Sequence, residues 1–197
     1  MKKKSIWAPG FTVYKLLLLP AAIGINYIGK LFAQLLSLPL WLDSIGTLFA
    51  SMLGGPIIGA LAGLINNVLY GLLLDTMSFA YGITSIAMGL LVGGMSLRGF
   101  LGAWYKVLVM GAFVALLAAI VSTPLNILFW GGETGIMWAD SFAASLQGSI
   151  PAVWLTSFIA ELAVDIPDKI LSVFLSFGIY KALPKNLLRA YNREDGI

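Results

Sequence analysis

Near its carboxyl end the chain reads Ile159-Ala-Glu-Leu-Ala-Val-Asp-Ile-Pro-Asp-Lys-Ile-Leu171, and a mostly apolar run, residues 173–180, follows. Four ionisable side chains interrupt this otherwise apolar stretch: Glu161, Asp165, Asp168 and Lys169. A charge at membrane depth costs at least about 2.5 kcal/mol, so such side chains usually face a protein interior or a water-filled cavity. Pro167 lacks a backbone donor, which predicts that the helix breaks or restarts there. A broken, charged helix in a membrane protein predicts a site for a polar solute.

The composition predicts a membrane protein. Apolar residues make up 59% of the 197 residues and charged residues only 11%. A soluble chain of this length cannot bury so much apolar surface, whereas lipid accepts it. The chain has no cysteine and no histidine, so it has no disulfides and lacks the usual transition-metal ligands. Nothing in it predicts a cofactor, and no basic patch with interleaved aromatic residues predicts nucleic-acid binding.

We predict one all-α membrane domain over residues 1–197, built as a bundle of six transmembrane helices. A half-polar stretch at 137–166 interrupts the series of apolar segments. Residues 186–197 are expected to form a short surface helix. The apolar segments are 11–36, 44–54, 56–74, 79–97, 104–130 and 168–183.

The distribution of charge predicts the orientation. With both termini in the cytoplasm, only Lys30 and Lys169 of the twelve basic residues fall in the outer half. This bias is the one that membrane proteins show. A further span at 150–166 would force the basic carboxyl terminus outside, so 131–166 is predicted to be a long extracellular connection. The last crossing is then expected to begin near Asp165 as its N-cap, with Pro167 in the first turn.

The candidate ligand-binding side chains are polar or aromatic and fall near the predicted outer end. Asp165 lies four residues after Glu161 and four before Lys169, so these three can share a helix face. A self-satisfied ion network that braces the helix break is the alternative. The asparagines alternatively bond a neighbouring helix, and the tryptophans alternatively anchor the interface. The candidates are Trp41, Asn66, Asn67, Gln147, Trp154, Glu161, Asp165 and Lys169.

Other polar and aromatic residues near this end are ambiguous. Lys30 is interpreted as reaching toward the outer interface rather than a ligand. Further alternatives for stacking on a flat ring are Trp130, Trp138, Tyr70 and Tyr81. The outer-loop acids are interpreted as solvated: Asp43, Asp75, Glu133 and Asp140.

Small residues recur at every fourth position in the third apolar segment, at Gly55, Gly59 and Gly63. Glycines at this spacing let helix backbones approach closely. The sequence therefore predicts either internal packing of the bundle or a docking surface for another membrane protein.

The chain resembles the substrate-binding S components of energy-coupling factor (ECF) vitamin transporters, over most of its length. Within that family it is similar to a subgroup assigned to pyridoxine- or hydroxymethylpyrimidine-type precursors. The segments that carry the resemblance are LPLWLDSIGT (38–47), GGPIIGALAGLINN (54–67), VSTPLN (121–126) and DIPDK (165–169) leading to ALPK (182–185).

The resemblance implies a mechanism and partners. S components in the plasma membrane of bacteria bind a vitamin near the extracellular face, then dock on a transmembrane coupling protein served by two ATPase subunits. They topple within the lipid bilayer to carry the pocket inward. An Ala-x-x-x-Ala pattern in the first helix contributes to docking in the family. Here Pro20 and Gly24 have that spacing, but the alanine pair is absent.

Three other functions remain as alternatives: a ligand-sensing membrane domain, a stand-alone transporter and, less favoured, a polytopic membrane enzyme. The chain carries no G-x-x-x-x-G-K-[ST], H-E-x-x-H or G-x-S-x-G motif. We therefore expect that it is not an enzyme and does not itself hydrolyse ATP.

Overall fold

A computed structural model describes residues 13–74 and 76–193, and every regular element in them is helical. The basic residues at positions 2–4, Asp75 and the last four residues lie outside the described part. A short 3-10 turn, Phe100–Gly102, precedes the fifth helix. The α-helices are α1 Val13–Leu35, α2 Ile45–Gly54, α3 Pro56–Leu73, α4 Ser78–Leu97, α5 Trp104–Trp130, α6 Met137–Gln147, α7 Val153–Ala182 and α8 Lys185–Arg193.

Four of these helices, α1, α3, α4 and α5, are long and apolar enough to cross a membrane. α2 has only ten residues, about half of what the roughly 30 Å hydrocarbon core requires. α7 has 30 residues, but its five charged side chains, the four named above and Lys181, set it apart from those four helices. The helical class of the prediction is confirmed, together with four candidate spans.

The expected helix break at Pro167 is wrong, and so is the start near Asp165. α7 is one continuous helix from Val153 to Ala182, with Pro167 inside it. At 1.5 Å per residue it is about 45 Å long, which exceeds the thickness of a membrane core. Proline removes one backbone hydrogen bond, and packing of the flanking turns offsets that loss. The predicted connection 131–166 therefore contains α6 and the first turns of α7.

Polar side chains are buried and apolar ones face outward along much of the bundle. Asn26, Asn126 and Asp168 are almost fully buried, whereas Leu72, Leu73 and Leu128 are each about 70% exposed. A soluble protein of this size would cover such apolar surface. The pattern is that of helices whose outer faces meet lipid.

Glycines place α3 directly against its neighbours. A side-chain carbon added at Gly63 would lie 2.8 Å from the backbone oxygen of Ser85 on α4, and one at Gly89 of α4 would meet the backbone of Ala60. Gly59 likewise touches Ser51 of α2. For Gly59 and Gly63 the internal-packing interpretation holds, and these two are not available as a docking surface. Gly55, by contrast, faces open space.

An apolar core fills the half of the bundle that holds the amino-terminal end of α5. Val92 on α4, Val107 and Met110 on α5, and Val173 on α7 meet there with no or almost no exposure. At the opposite end the helices enclose polar side chains instead. The candidate site lies in this polar half of the bundle.

Candidate ligand-binding cavity

A cavity of about 240 Å³ lies between α1, α3, α4, α5 and α7. Its walls come from the carboxyl-terminal parts of α1, α3 and α5, the amino-terminal half of α4 and the middle of α7. Met88 and Ala118, which also belong to the apolar core, close its inner end. The volume equals that of about eight water molecules in the liquid, which suits a small substituted ring.

Aromatic rings form two sides of the cavity. Tyr81 on α4 stacks on Trp130 at the end of α5, with ring centroids 5.6 Å apart and planes inclined by 27°. Trp41 reaches the cavity from the loop between α1 and α2, where it packs on the contact between α6 and α7. Flat walls of this kind suit a flat ligand.

The α7 charge cluster (Glu161, Asp165, Asp168 and Lys169) is buried. The Nζ atom of Lys169 lies 2.5 Å from Oδ2 of Asp168 and 3.4 Å from Oδ1 of Asp165. Asp168 also accepts a hydrogen bond of 2.9 Å from the backbone N–H of Leu42. Asp168 is fully buried and is not among the residues that line the cavity, so it ties the α1–α2 loop to α7.

Asp165 has one carboxylate oxygen that no described residue bonds. Its Oδ1 faces Lys169, whereas its Oδ2 is buried without a partner in the described part of the chain. An unpaired oxygen of a buried carboxylate is costly unless a further group binds it. Asp165 lines the cavity, so a ligand can supply that group.

A second carboxylate, Glu161, is held by a chain of neutral side chains. Asn126 on α5 donates a hydrogen bond of 2.9 Å to Oε2 of Glu161. The hydroxyl of Tyr81 in turn donates to Oδ1 of Asn126 at 2.5 Å. The chain fixes the ring of Tyr81 and the carboxylate of Glu161 relative to each other across the cavity.

The loop after α5 covers the cavity and is held by α6. Asp140, in the first turn of α6, accepts hydrogen bonds from the backbone N–H of Thr134 at 2.6 Å and of Gly135 at 3.1 Å. Thr134 and Gly135 both line the cavity. Gly135 has a φ of 79°, a conformation that favours glycine. Asp140 is therefore a structural residue rather than a merely solvated acid.

Lys30 points inward. Its Nζ atom lies 4.2 Å from the centroid of the buried Tyr70 ring, and the residue lines the cavity. The interpretation of Lys30 as reaching toward the interface is therefore wrong. Attraction between an ammonium and an aromatic face accounts for the position.

Of the predicted ligand-binding residues, five line the cavity: Trp41, Asn67, Glu161, Asp165 and Lys169. Asn67 donates hydrogen bonds to Ser85 and to the backbone of Gly63, so it also joins α3 to α4.

The other three predicted residues lie elsewhere. Asn66 is buried but does not line the cavity. Gln147 is exposed at the end of α6. Trp154 is 61% exposed, about 10 Å along α7 from Glu161 and beyond the cavity. Their position in the sequence near the predicted outer end therefore did not distinguish residues that line the cavity from residues on the protein surface.

Several lining residues were not among the eight candidates, although Tyr81 was named as an alternative for ring stacking. Ser78, Tyr81, Ser85 and Met88 line the cavity at helical spacings of three, four and three. This period could have identified one face of α4. Asp43, interpreted as solvated, also lines the cavity.

Comparison of the chain with protein-family models, with curated proteins and with solved structures finds no match.

Proposed function

We propose that this chain is the substrate-binding subunit of an ATP-driven, ECF-type importer that captures a small water-soluble vitamin or vitamin precursor. The observation that carries the proposal is the cavity itself: a partly open space with polar and aromatic side chains in its walls, inside a bundle of apolar helices. Pyridoxine and hydroxymethylpyrimidine are the substrates that the resemblance favours. Both are single rings of a size that suits the cavity.

The finer topology belongs to the same proposal: six crossings, both termini in the cytoplasm of a bacterium, and the connection before α7 outside. The cavity lies at the end of the bundle opposite Arg98, Lys106, Lys181 and Lys185. That placement supports ligand entry from the outside. In this arrangement the loop at Thr134 and Gly135 separates the ligand from the external medium.

The proposed partners are a transmembrane coupling protein and two ATPase subunits. Pro20 and Gly24 lie on an exposed face of α1, and a side-chain carbon added at Gly24 would meet no atom within 4 Å. Such an open small-residue position supports close approach of another helix. Of the three glycines predicted for docking in the third apolar segment, only Gly55, which directly precedes α3, would meet no atom within 4 Å if a side-chain carbon were added.

Two measurements test the proposal. The protein, purified gently from cells that produce the coupling subunits, is expected to retain a vitamin-sized compound in mass spectrometry and to carry a membrane partner and two ATPases with it. A chain that stays alone while those subunits are present would contradict the import function and favour a sensor or a stand-alone transporter.

A matched pair of variants tests the docking face. We expect Gly24→Phe to reduce the amount of co-purified ATPase severalfold, because the ring blocks close helix approach. Gly178→Phe is the control, since Gly178 on α7 also meets no atom within 4 Å. Ligand binding should stay unchanged in both. Equal loss of ATPase in the two variants would remove the role of Gly24.

A further inference from the structure

The cavity carries an excess of carboxylates over ammonium groups. Asp43, Glu161 and Asp165 line it, against Lys30 and Lys169. Asp168 does not line the cavity, but it accepts a hydrogen bond from Lys169 and so adds one more carboxylate to the site. With all six groups ionised, the formal charge of the site is two negative units. A charge excess at a buried site favours a ligand of the opposite sign.

The two lysines balance only part of the carboxylate charge that faces the cavity. Lys169 is held by Asp168 at 2.5 Å and by Asp165 at 3.4 Å. Lys30 lies on the ring of Tyr70, with 4.2 Å between its Nζ atom and the centroid. An anionic ligand would have to draw one of these ammonium groups away from its partners.

The two carboxylates on the cavity side of α7 are only partly matched by cations, since Lys169 faces one oxygen of Asp165 and no described cation lies within 4 Å of Glu161. Oδ2 of Asp165, which is 2% exposed, has no hydrogen bond in the described residues. Glu161, which is 6% exposed, accepts from the neutral amide of Asn126, and no described lysine or arginine lies within 4 Å of it. The two residues are four apart on one helix face, so their Cβ atoms lie roughly 5–6 Å apart.

We propose that the cavity binds a flat nitrogen heterocycle that is an organic cation or a strong N–H donor, with its donor nitrogens against Glu161 and Asp165. The rings of Trp41, Tyr81 and Trp130 face the ring system and add attraction for positive charge. The inference rests on the proposed function and assigns the charge class of the substrate. A neutral alcohol leaves Glu161 without a cation and Oδ2 of Asp165 without a charged donor, and a carboxylate ligand is repelled.

Matched probes with one ring and different charge test this assignment. Calorimetry on the purified protein in lipid nanodiscs compares pyridoxamine, pyridoxine and 4-pyridoxic acid, which carry an ammonium, a hydroxyl and a carboxylate at the same position. Benzamidine, benzamide and benzoate form a second series. In each series whose cation binds, the cation is expected to bind about tenfold or more tighter than the neutral probe, and the anion weakest. Equal affinities, the inverse order, or no binding of either cation would overturn the inference.

Variants that replace a carboxylate by a neutral amide test which residues cause the preference for a cation. Glu161→Gln and Asp165→Asn are expected to reduce affinity for the cation by about tenfold while changing that of the neutral probe little. Glu133→Gln is the control, because Glu133 is exposed on the covering loop and does not line the cavity. Equal losses of affinity for all probes would overturn the inference. If a variant fails to fold, the inference is judged from the affinities of the wild-type protein for the two probe series. If the probes do not bind in the expected order but the ATPase subunits still co-purify, only the charge assignment is wrong. If the probes bind in the expected order but no ATPase subunits co-purify, the charge assignment holds and the import function is wrong.

Discussion

At the scale of single residues, two neighbouring aspartates on α7 have different roles. Asp168 is fully buried and satisfied by Lys169 and by the backbone N–H of Leu42. Asp165 shares the same lysine but keeps one oxygen without a partner beside the cavity. The ion-network interpretation of the α7 charge cluster therefore holds for Asp168, whereas the ligand-site interpretation stays a prediction for Asp165.

We expect Asp168→Asn to lower the free energy of unfolding by about 3–5 kcal/mol, because it leaves Lys169 buried with a weaker partner. Asp165→Asn is expected to cost less, since its ion pair with Lys169 is longer, at 3.4 Å, and its other oxygen has no bond, yet to weaken ligand binding more. Unfolding in mixed micelles and calorimetry measure the two effects separately. Equal loss of stability in the two variants would show that both aspartates are structural.

At the scale of the elements, short helices and loops are positioned by side chains from distant helices. The amino terminus of α2 lacks a side-chain cap of its own. Oδ1 of Asn26 on α1 accepts hydrogen bonds from the backbone N–H of Gly46 at 2.7 Å and of Thr47 at 3.3 Å instead. These bonds satisfy donors that a helix start leaves open. A helix of ten residues is thereby fixed inside the bundle.

Close packing of α3 and α4 gives a second prediction. Gly63→Ala is expected to destabilise the protein by about 1–3 kcal/mol, since the new methyl group would meet the backbone of Ser85. Gly94→Ala on α4 is the matched control, because nothing lies within 4 Å there. It should leave stability unchanged or raise it by up to about 1 kcal/mol. Thermal unfolding of both variants provides the measurement, and similar losses would contradict the packing role of Gly63.

At the scale of the whole molecule, the bundle is divided into an apolar half and a polar half. The apolar half is filled by residues such as Met110 and Val173, and the polar half encloses the cavity. Arg98, Lys106 and Lys181 lie at the end of the apolar half. In the proposed function, this division keeps one end closed while the other end receives a ligand.

The proposed orientation can be tested directly because the chain contains no cysteine. Glu133→Cys and Arg98→Cys each place a single thiol at an exposed position, at opposite ends of the bundle. In intact cells a membrane-impermeant maleimide should label the variant at 133, and should label the one at 98 only after permeabilisation. Labelling in the reverse order would invert the topology and place the cavity on the cytoplasmic side.

The sequence by itself determined the helical class and the approximate bounds of most helices. Hydropathy and helical period are local properties, and the apolar segments 56–74 and 79–97 differ from α3 and α4 by only one residue at an end. The sequence also identified Glu161, Asp165 and Lys169, because charges in an apolar helix need an interior partner wherever they lie.

Only the tertiary structure decided how those charges are used. The N–H that Asp168 binds belongs to Leu42, 126 residues earlier, and no local pattern predicts that pairing. Packing on both sides of Pro167 likewise keeps α7 continuous where local propensity predicts a break. The positions of Gln147 and Trp154 outside the cavity follow from the same cause. Partners distant in sequence determine burial, and burial separates the residues of a site from those of the surface.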